Sequence, residues 1–330
     1  MIRFGIIGTN FITDWFIDTI NHLDDVEVTA LYSRTDSRAN EYAASHSILH
    51  TFTSLEEMAK SDVIDAIYIA SPNSLHAEQS ILFMQHGKHV LCEKPLASNV
   101  QEVTRMIEVA KENEVVLLEA LRNLFMPNFE RIQQAMERIA PVRRAVFNKS
   151  QYSSRYDLYK QGENPNTFNP AFSNGSLMDL GVYLLGPALK LFGQPNDIQA
   201  SGVRLESGVD GSGTVILSYN DLDVIVMHSK IHATSTPSEI IGEKGRIIIN
   251  DIATCDEVRL ELRDGTSEIV SESQNAPMSY EIEAFVRAIE VSASETVVHS
   301  ANDMILLANV MTNVRTQLGV VYPADKKIQT

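Results

Sequence analysis

Near its start the chain carries Arg3-Phe4-Gly5-Ile6-Ile7-Gly8-Thr9-Asn10-Phe11-Ile12-Thr13, and this run indicates the class of fold. Its apolar start predicts a buried parallel strand that ends at Gly8. Beyond the glycine, apolar side chains recur at helical spacing and predict an amphipathic helix: Phe11, Ile12, Trp15, Phe16 and Ile20. A strand, a glycine turn and a helix in this order begin a βαβ unit of the kind that binds a dinucleotide, with the pyrophosphate on N–H groups at the helix N-terminus.

The glycine fingerprint of such turns, G-x-G-x-x-G, is only partly present. With Gly8 as its first glycine, the second position holds Asn10 and the third holds Thr13. Asparagine tolerates a left-handed backbone better than most residues, so we expect it to replace the second glycine. Thr13 must then pack the helix against the strand. Alone, this fingerprint is equally typical of an ordinary βα turn in another α/β protein.

Length and composition indicate a globular protein of two domains. The chain has 330 residues, of which 44% are hydrophobic and 21% are charged. No apolar run reaches the roughly 18 to 20 residues needed to cross a bilayer. A strand that starts at residue two or three leaves no room for a signal peptide, so we expect a cytoplasmic protein.

Charge and cysteine content exclude several classes of partner. The formal net charge is −16 and no Lys/Arg cluster forms a basic face, which excludes nucleic acid and anionic membranes. Cys92 and Cys255 are far apart and lack neighbours at metal-ligand spacing. We therefore expect two packed thiols in a reducing compartment and no metal site.

The first part of the chain, residues 1–121, predicts a doubly wound parallel sheet. Strands and helices alternate with short connections, and the strands are apolar throughout. Further strands are predicted at 26–32, 64–70, 89–92 and 115–118, and helices at 36–46, 75–85 and 98–113. Two capping boxes begin helices, Ser54-x-x-Glu57 and Ser98-x-x-Gln101.

The second part, residues 122–330, predicts an α+β domain with a largely antiparallel sheet. A strand is predicted at 142–152, and several more follow in quick succession between residues 198 and 270. Tight turns separate these strands, as at Asn220-Asp221 and Asp264-Gly265. Helices are predicted at 176–192, 279–291 and 302–318.

Candidate binding residues lie at the carboxyl ends of the predicted parallel strands, where open α/β sheets bind ligands. In chain order they are Gly8, Thr9, Asn10, Phe11, Ile12, Ser33, Arg34, Ser71, Pro72, Asn73, Glu93 and Lys94. The end of the second strand carries Ser33 and Arg34, with Arg38 one turn later, instead of the acid that binds the ribose hydroxyls of NAD. A hydroxyl and two cations suit a 2′-phosphate, so we expect NADP(H) to be preferred and NAD(H) to be the second choice.

Three residues are candidates for chemistry. Lys94 follows a strand at the expected nicotinamide end of the site, and a half-buried lysine there can hydrogen-bond or protonate a carbonyl oxygen. Asp179 and Tyr183 are four residues apart, so they share a helix face. From the residues alone, the helix dipole is the favoured explanation of Asp179, and core packing is the favoured explanation of Tyr183.

Three strings in this order resemble the glucose-fructose oxidoreductase, inositol dehydrogenase and MocA (Gfo/Idh/MocA) family: Gly8 to Ile12, Glu93-Lys94-Pro95 and Gly175 to Tyr183. Supporting strings are Ser71-Pro72-Asn73-Ser74-Leu75-His76, Glu119-Ala120 and Tyr280-x-x-Glu283-x-Phe285. The resemblance implies a Rossmann domain followed by a domain on an open sheet. Through it His76 joins the cofactor-binding set, Lys94 touches nicotinamide and substrate, and Asp179 and Tyr183 line the substrate pocket. The bond before Pro95 is then expected to be cis.

The activity that the resemblance implies is NADP(H)-dependent hydride transfer to or from a secondary alcohol or carbonyl of a sugar, polyol or cyclic diol. Tyr183 would donate the proton, Lys94 would supply positive charge, and Asp179 would orient the substrate; the sequence leaves open whether Lys94 or Tyr183 is the principal acid/base. The resemblance also implies a homodimer or homotetramer formed through the second sheet. The alternative is a regulator of the same fold that senses NAD(P) or a sugar without catalysis.

Overall fold

The computed structural model describes residues 1–293 and 295–326. The strands in this part are β1 (Ile2–Ile7), β2 (Val26–Tyr32), β3 (His50–Phe52), β4 (Ala66–Ile69), β5 (His89–Glu93), β6 (Leu117–Ala120), β7 (Val142–Ser150), β8 (Asp197–Arg204), β9 (Asp210–Ser218), β10 (Asp223–Ser229), β11 (Ser238–Gly242), β12 (Gly245–Ile249), β13 (Val258–Leu262) and β14 (Ser267–Ile269). The α-helices are α1 (Phe11–Ile20), α2 (Asp36–His46), α3 (Leu55–Lys60), α4 (His76–Gln85), α5 (Val100–Glu112), α6 (Pro127–Ile139), α7 (Tyr156–Lys160), α8 (Val182–Phe192), α9 (Ser279–Glu290), α10 (Ala301–Leu318) and α11 (Pro323–Lys326).

The chain forms two compact units. The first comprises Met1–Ala120 and Met278–Met304, and the second comprises Leu121–Pro277 and Ile305–Thr330. The prediction of one domain over 122–330 differs from this division, because residues 278–304 fold with the first unit. The physical reason is the buried face of α9, whose Phe285 ring lies 5.9 Å from the ring of Phe4 on β1.

The first unit is built on a six-stranded parallel sheet in the order β3-β2-β1-β4-β5-β6. This confirms the predicted Rossmann fold, and only the short strand β3 was missed. The strand order reverses between β1 and β4, which pair in register from Phe4↔Ala66 to Ile7↔Ile69. Ligands of open α/β sheets bind at such a reversal, outside the carboxyl ends of the strands. The residues after β1 and β4 therefore form the expected binding point of this unit.

Helix caps in the first unit follow the sequence, with one change of frame. The Ser54 hydroxyl accepts a hydrogen bond from Glu57 N at 3.2 Å and begins α3 as predicted. The box predicted at Ser98 and Gln101 is wrong by one residue. The cap of α5 is Asn99, whose side chain accepts from Glu102 N at 3.0 Å, while the Glu102 carboxylate accepts from Ser98 N at 2.9 Å. An ionised acceptor near the positive end of a helix favours this frame over a neutral glutamine.

The second unit is built on an eight-stranded sheet in the order β14-β13-β12-β11-β7-β10-β9-β8. The largely antiparallel prediction is confirmed, with one parallel pair, β7 and β10. One face is apolar and buried, carrying among others Ala145, Phe147, Val224 and Val226. The opposite face is more open, and there Ile216 on β9 and Val203 on β8 are exposed. Both cysteines are buried as free thiols.

No helix among the described residues combines the length and the apolar character that crossing a membrane requires.

Candidate functional site

The turn after β1 brings the backbone of β1 and β4 into close approach at Gly8. Gly8 has φ +123°, a backbone conformation that side chains rarely adopt. A Cβ at this position would lie 2.8 Å from the Ala70 carbonyl oxygen. Glycine is therefore required here both for its conformation and for its lack of a side chain, as expected for a turn that lets a ligand approach the backbone.

Asn10 replaces the second glycine of the fingerprint by a mechanism that differs from the prediction. Its φ is −122°, so the left-handed conformation predicted for it is wrong. It caps α1 instead: its side-chain oxygen accepts from Ile12 N at 3.1 Å, and its amide donates to the Ala70 carbonyl at 3.2 Å. Thr13 takes the place of the third glycine and is fully buried between helix and sheet.

The end of β2 lacks an acid and carries two arginines with different surroundings. The Arg38 guanidinium donates to the Thr9 hydroxyl at 3.3 Å and to the Thr9 carbonyl at 3.2 Å. It also lies 3.6 Å from Glu41. Arg34 is exposed, and within residues 1–293 and 295–326 its side chain has no ion pair or hydrogen bond. Arg38 thus joins the end of β2 to the turn after β1, while the Arg34 guanidinium faces solvent.

These residues fit a dinucleotide that carries a 2′-phosphate. The turn at Gly8 has no side chain between the backbone and a ligand, and the helix that follows offers N–H groups at its N-terminus. Phe11, at the first position of that helix, is 67% exposed. The exposed cation of Arg34 stands where the acid of an NAD site would stand. Ser33 is the next residue inward, and its N–H donates to the Phe52 carbonyl at 3.0 Å.

His76 connects the segments that follow β4 and β5. Its Nδ1 lies 3.0 Å from the Pro95 carbonyl oxygen, and its Nε2 lies 2.9 Å from the Ser71 carbonyl oxygen. Burial lowers the pKa of His76, against the two carbonyls, which raise it. Because both ring nitrogens face backbone oxygens, His76 is suited to hold these two segments together. Pro72 leads from Ser71 to a short 3₁₀ turn, Asn73–Leu75, which precedes α4.

The segment Glu93-Lys94-Pro95 is held on both sides. The Tyr68 hydroxyl donates to the Glu93 carboxylate at 2.6 Å. The bond between Lys94 and Pro95 is cis, as the resemblance implies. Just beyond it, Leu96 N donates to the buried carboxylate of Glu119 at 2.8 Å. Lys94 itself is half-buried.

The buried carboxylate of Glu119 has a second partner that the sequence did not reveal. Its Oε2 lies 2.8 Å from Nε2 of His299, which is also buried. The two residues are 180 positions apart in the chain, so no local pattern links them.

In the second unit, the predicted helix 176–192 begins with a π-helical turn, Leu177–Gly181, before α8. The Asp210 carboxylate accepts from Leu177 N at 2.6 Å and fixes the start of this turn. Gly175, with φ +146°, lets Asp210 approach, because a Cβ there would collide with the carboxylate. A π-turn changes the register of the side chains that follow it, and such turns are frequent at functional sites.

Two buried titratable groups support this turn. The Ser176 hydroxyl lies 2.9 Å from Nδ1 of His228, and Asp210 lies 3.8 Å from the same nitrogen. Burial lowers the pKa of His228 to about 3, so the ring is neutral at neutral pH. Burial raises the pKa of Asp210 to about 6, against the Leu177 N–H and the charges of Arg315 and Lys230, which lower it.

Asp179 lies within the π-turn and forms an ion pair with Lys230, which directly follows β10. The Lys230 side chain is 9% exposed and that of Asp179 is 33% exposed. The explanation of Asp179 by the helix dipole alone is therefore incomplete, because the carboxylate has a specific cation as its partner.

Tyr183 lies in the first turn of α8 and is buried except for 8% of its surface. The guanidinium carbon of Arg122 is 5.5 Å from the centroid of its ring, within the range of a cation–π contact. The Asn123 amide donates to the Tyr183 carbonyl at 2.9 Å and to the Ile252 carbonyl at 3.0 Å. Arg122 and Asn123 thus fix Tyr183 from the segment that begins this unit.

The structure brings together Gly8, Asn10 and Arg38 in the first unit, and Asp179 and Lys230 in the second. Sequence reasoning missed Lys230, Arg122 and His299. A search of the strand ends in the second unit would have found Lys230, because it directly follows β10. Within the described part of the chain, no group of three or more His, Cys, Asp or Glu side chains is arranged to hold a metal ion.

Two family models match the chain. The oxidoreductase family with an NAD-binding Rossmann fold (GFO_IDH_MocA) matches residues 2–121, and the GFO/IDH/MocA C-terminal domain matches residues 146–248.

Two curated relatives match almost end to end. Scyllo-inositol 2-dehydrogenase (NADP(+)) IolU of Bacillus subtilis (strain 168) is 49% identical over 327 residues, covering 99% of this chain and 100% of the relative. Trans-1,2-dihydrobenzene-1,2-diol dehydrogenase of Danio rerio is 30% identical over 339 residues, covering 99% of each chain.

Among solved structures, the 3-ketoreductase KijD10 from Actinomadura kijaniata, in complex with NADP and TDP-benzene, is similar with a TM-score of 0.83. It is 24% identical, and the match covers 97% of this chain and 99% of that one. At this identity the similarity shows a shared fold.

Proposed function

Because this chain belongs to the Gfo/Idh/MocA family of oxidoreductases, we propose that it is an NADP(H)-dependent dehydrogenase of sugars or polyols. The observation that carries the proposal is the full-length similarity to an inositol dehydrogenase that uses NADP(+). We further propose that the reacting group is a secondary alcohol of a cyclic polyol or diol, since both curated relatives described above are named for such substrates.

The cofactor would be held by residues of the first unit. The turn Gly8 to Ile12 offers backbone N–H groups to the pyrophosphate. The exposed guanidinium of Arg34 would bind the 2′-phosphate, and a planar guanidinium matches a phosphate well because it can donate two parallel hydrogen bonds. Arg38 supports this by tying Thr9 to the end of β2. When bound, NADP(H) accepts or supplies the hydride.

Proton transfer and substrate orientation would fall to three residues. Tyr183 would exchange a proton with the substrate oxygen, and Lys94 would supply positive charge or a proton. A cation beside a phenol favours its ionised form, which helps it to accept a proton during alcohol oxidation. Asp179, held in an ion pair with Lys230, would accept a hydrogen bond from a substrate hydroxyl.

The test is steady-state turnover of the purified chain. NADP+ and NAD+ are each offered with scyllo-inositol, myo-inositol, glucose and trans-1,2-dihydrobenzenediol, and cofactor reduction is followed. We expect turnover with a polyol or diol and a higher kcat/KM with NADP+. The alternative of a sensor without catalysis has no support among the relatives named above, which are dehydrogenases. Cofactor binding without turnover on every substrate would nevertheless favour it.

We also propose that copies of the chain associate as a homodimer or homotetramer through the open face of the eight-stranded sheet. Exposed apolar residues on this face, such as Ile216 and Val203, support the proposal. Sedimentation of the wild type and of Ile216→Asp tests it. The charged variant is expected to shift towards monomer, and a wild-type monomer at micromolar concentration would contradict it.

A further inference from the structure

Lys230 is a buried lysine with no role in the chemistry assigned above. Only 7% of the residue is exposed, and lysines are almost never buried unless they are paired. Its partner is the carboxylate of Asp179, at the residue proposed to orient substrate. Asp179 remains 33% exposed, so the pair has one buried end and one end that reaches the surface of the unit.

The backbone around Lys230 is fixed on both sides. Its N–H donates to the Gly211 carbonyl at 2.9 Å, which ties it to the neighbouring strand β9. The hydroxyl of Ser229 accepts from the N–H groups of Ile231 at 3.1 Å and of His232 at 3.0 Å. The turn after β10 is thus closed by local hydrogen bonds, and the ammonium group extends from a rigid base.

The ion pair has charged and titratable neighbours in the same unit. Asp210 also interacts electrostatically with Lys230 and with Arg315, and its pKa is raised towards neutrality by burial. His228, whose Nδ1 lies 3.8 Å from Asp210, is neutral at neutral pH. A buried ammonium that lost Asp179 would lack its hydrogen-bonded partner, and this cost favours keeping the pair intact.

We propose that Lys230 is a positioning residue for the dehydrogenase reaction, which holds the Asp179 carboxylate in the orientation that accepts a hydrogen bond from a substrate hydroxyl. The inference rests on the proposed function and deepens it. Selectivity for hydroxyl-rich substrates would then depend on the ion pair between Lys230, at the end of β10, and Asp179, in the π-turn. Lys230 acts through Asp179 and makes no contact of its own with the reacting atoms.

The test compares Lys230→Met, Lys230→Arg, Asp179→Asn and the double variant Lys230→Met/Asp179→Asn in polyol oxidation with NADP+. Lys230→Gln, which keeps a hydrogen-bond donor but no charge, is used if Lys230→Met does not fold. The matched control is Lys149→Met, which removes the lysine of another half-buried ion pair, with Asp251, from the adjacent strand β7.

We expect Lys230→Met to lower kcat/KM for the polyol on the order of 100-fold, because a misplaced substrate-binding group costs about that much, while KM for NADP+ is unchanged. Lys230→Arg is expected to recover at least about tenfold of this loss, since it restores a cation. The double variant is expected to be no worse than Asp179→Asn, because residues that act through one another are not additive. Lys149→Met is expected to retain the wild-type kcat/KM.

A folded Lys230→Met or Lys230→Gln protein with wild-type kcat/KM for the polyol would overturn the inference. So would a double variant whose losses multiply, since Lys230 would then act independently of Asp179. A wild-type protein with no turnover would instead contradict the proposed function, so the two failures are distinguishable.

Discussion

The guanidinium of Arg122 lies over the ring of Tyr183, with its central carbon 5.5 Å from the ring centroid. Asn123, the next residue, donates a hydrogen bond to the Tyr183 carbonyl at 2.9 Å. Side chain and backbone of Tyr183 are therefore both held by one short segment of the chain. A fixed ring beside a permanent cation has the properties expected of a proton-transfer group, whereas a tyrosine that only fills the core needs neither contact.

Tyr183→Phe is predicted to lower kcat by about 10²- to 10⁴-fold, the usual contribution of a positioned acid or base, with little change in KM for NADP+. Tyr219→Phe is the control. Its hydroxyl donates to the Gly193 carbonyl at 2.9 Å, so its loss is expected to cost about 1 kcal/mol of stability without affecting kcat. Steady-state kinetics and urea unfolding of both variants check this, and equal turnover in the two variants would remove Tyr183 from the mechanism.

Arg34→Ala is predicted to raise KM for NADPH about tenfold or more and to leave KM for NADH nearly unchanged. The reason is that only NADPH carries the 2′-phosphate, and a charge-assisted hydrogen bond contributes about that factor. Arg105→Ala removes an exposed arginine from α5, where it pairs with Glu108 and Glu112, and serves as control. An equal rise in KM for both cofactors would show that Arg34 does not bind the 2′-phosphate.

Gly8→Ala and Gly87→Ala separate two roles of glycine. Both residues have positive φ, but a Cβ at Gly8 would meet the Ala70 carbonyl, whereas a Cβ at Gly87 would meet no atom within 4 Å. We predict that Gly87→Ala costs about 1 kcal/mol of unfolding free energy and leaves NADPH binding intact. Gly8→Ala is predicted to cost more and to weaken NADPH binding, as followed by cofactor fluorescence. Unaltered binding in Gly8→Ala would contradict the assignment of the cofactor turn.

His228→Gln is predicted to flatten the acid side of the stability profile. The unfolded chain binds a proton on this histidine near its ordinary pKa of 6.5, whereas the folded chain resists protonation down to about 3. Stability is therefore lost as pH falls below about 6.5, by about 1 kcal/mol per pH unit from this group. The variant lacks this contribution.

Asp210 acts with the opposite sign, because its pKa is raised to about 6 and its contribution to stability grows as pH falls from there. It is present in both proteins, so it largely cancels in the comparison. Urea unfolding between about pH 4 and 7 gives the two profiles. Parallel profiles would show that His228 is not held neutral by burial.

Most of the first unit could be predicted from local sequence patterns. The apolar run of β1, the glycine at position 8 and the helical spacing after it are features of consecutive residues, so strand, turn and helix could be predicted together. The cap of α5 shows the limit of this approach. Ser98-x-x-Gln101 and Asn99-x-x-Glu102 are overlapping frames of the same motif, and only the folded helix selects the second.

Long-range partnerships could not be predicted. Glu119 pairs with His299, and Asp179 pairs with Lys230, which lies 51 residues away in the chain. No local sequence pattern predicts either pair. The sequence pattern of an amphipathic helix such as α9 predicts a buried face, but it does not predict which sheet that face packs against. The π-turn before α8 was also missed, because it depends on the contact of Gly175 and Leu177 with Asp210, which lies 33 residues beyond Leu177 in the chain.

The central claim is that this chain moves a hydride between a polyol carbon and NADP(H). The most direct measurement uses scyllo-inositol deuterated at its ring carbons, with NADP+ and the wild-type protein, and determines by mass spectrometry whether the cofactor gains deuterium. We predict one deuterium in each NADPH formed, and loss of this product in Lys94→Met and Tyr183→Phe. Reduced cofactor without deuterium, or no reduced cofactor with any polyol offered, would contradict the account.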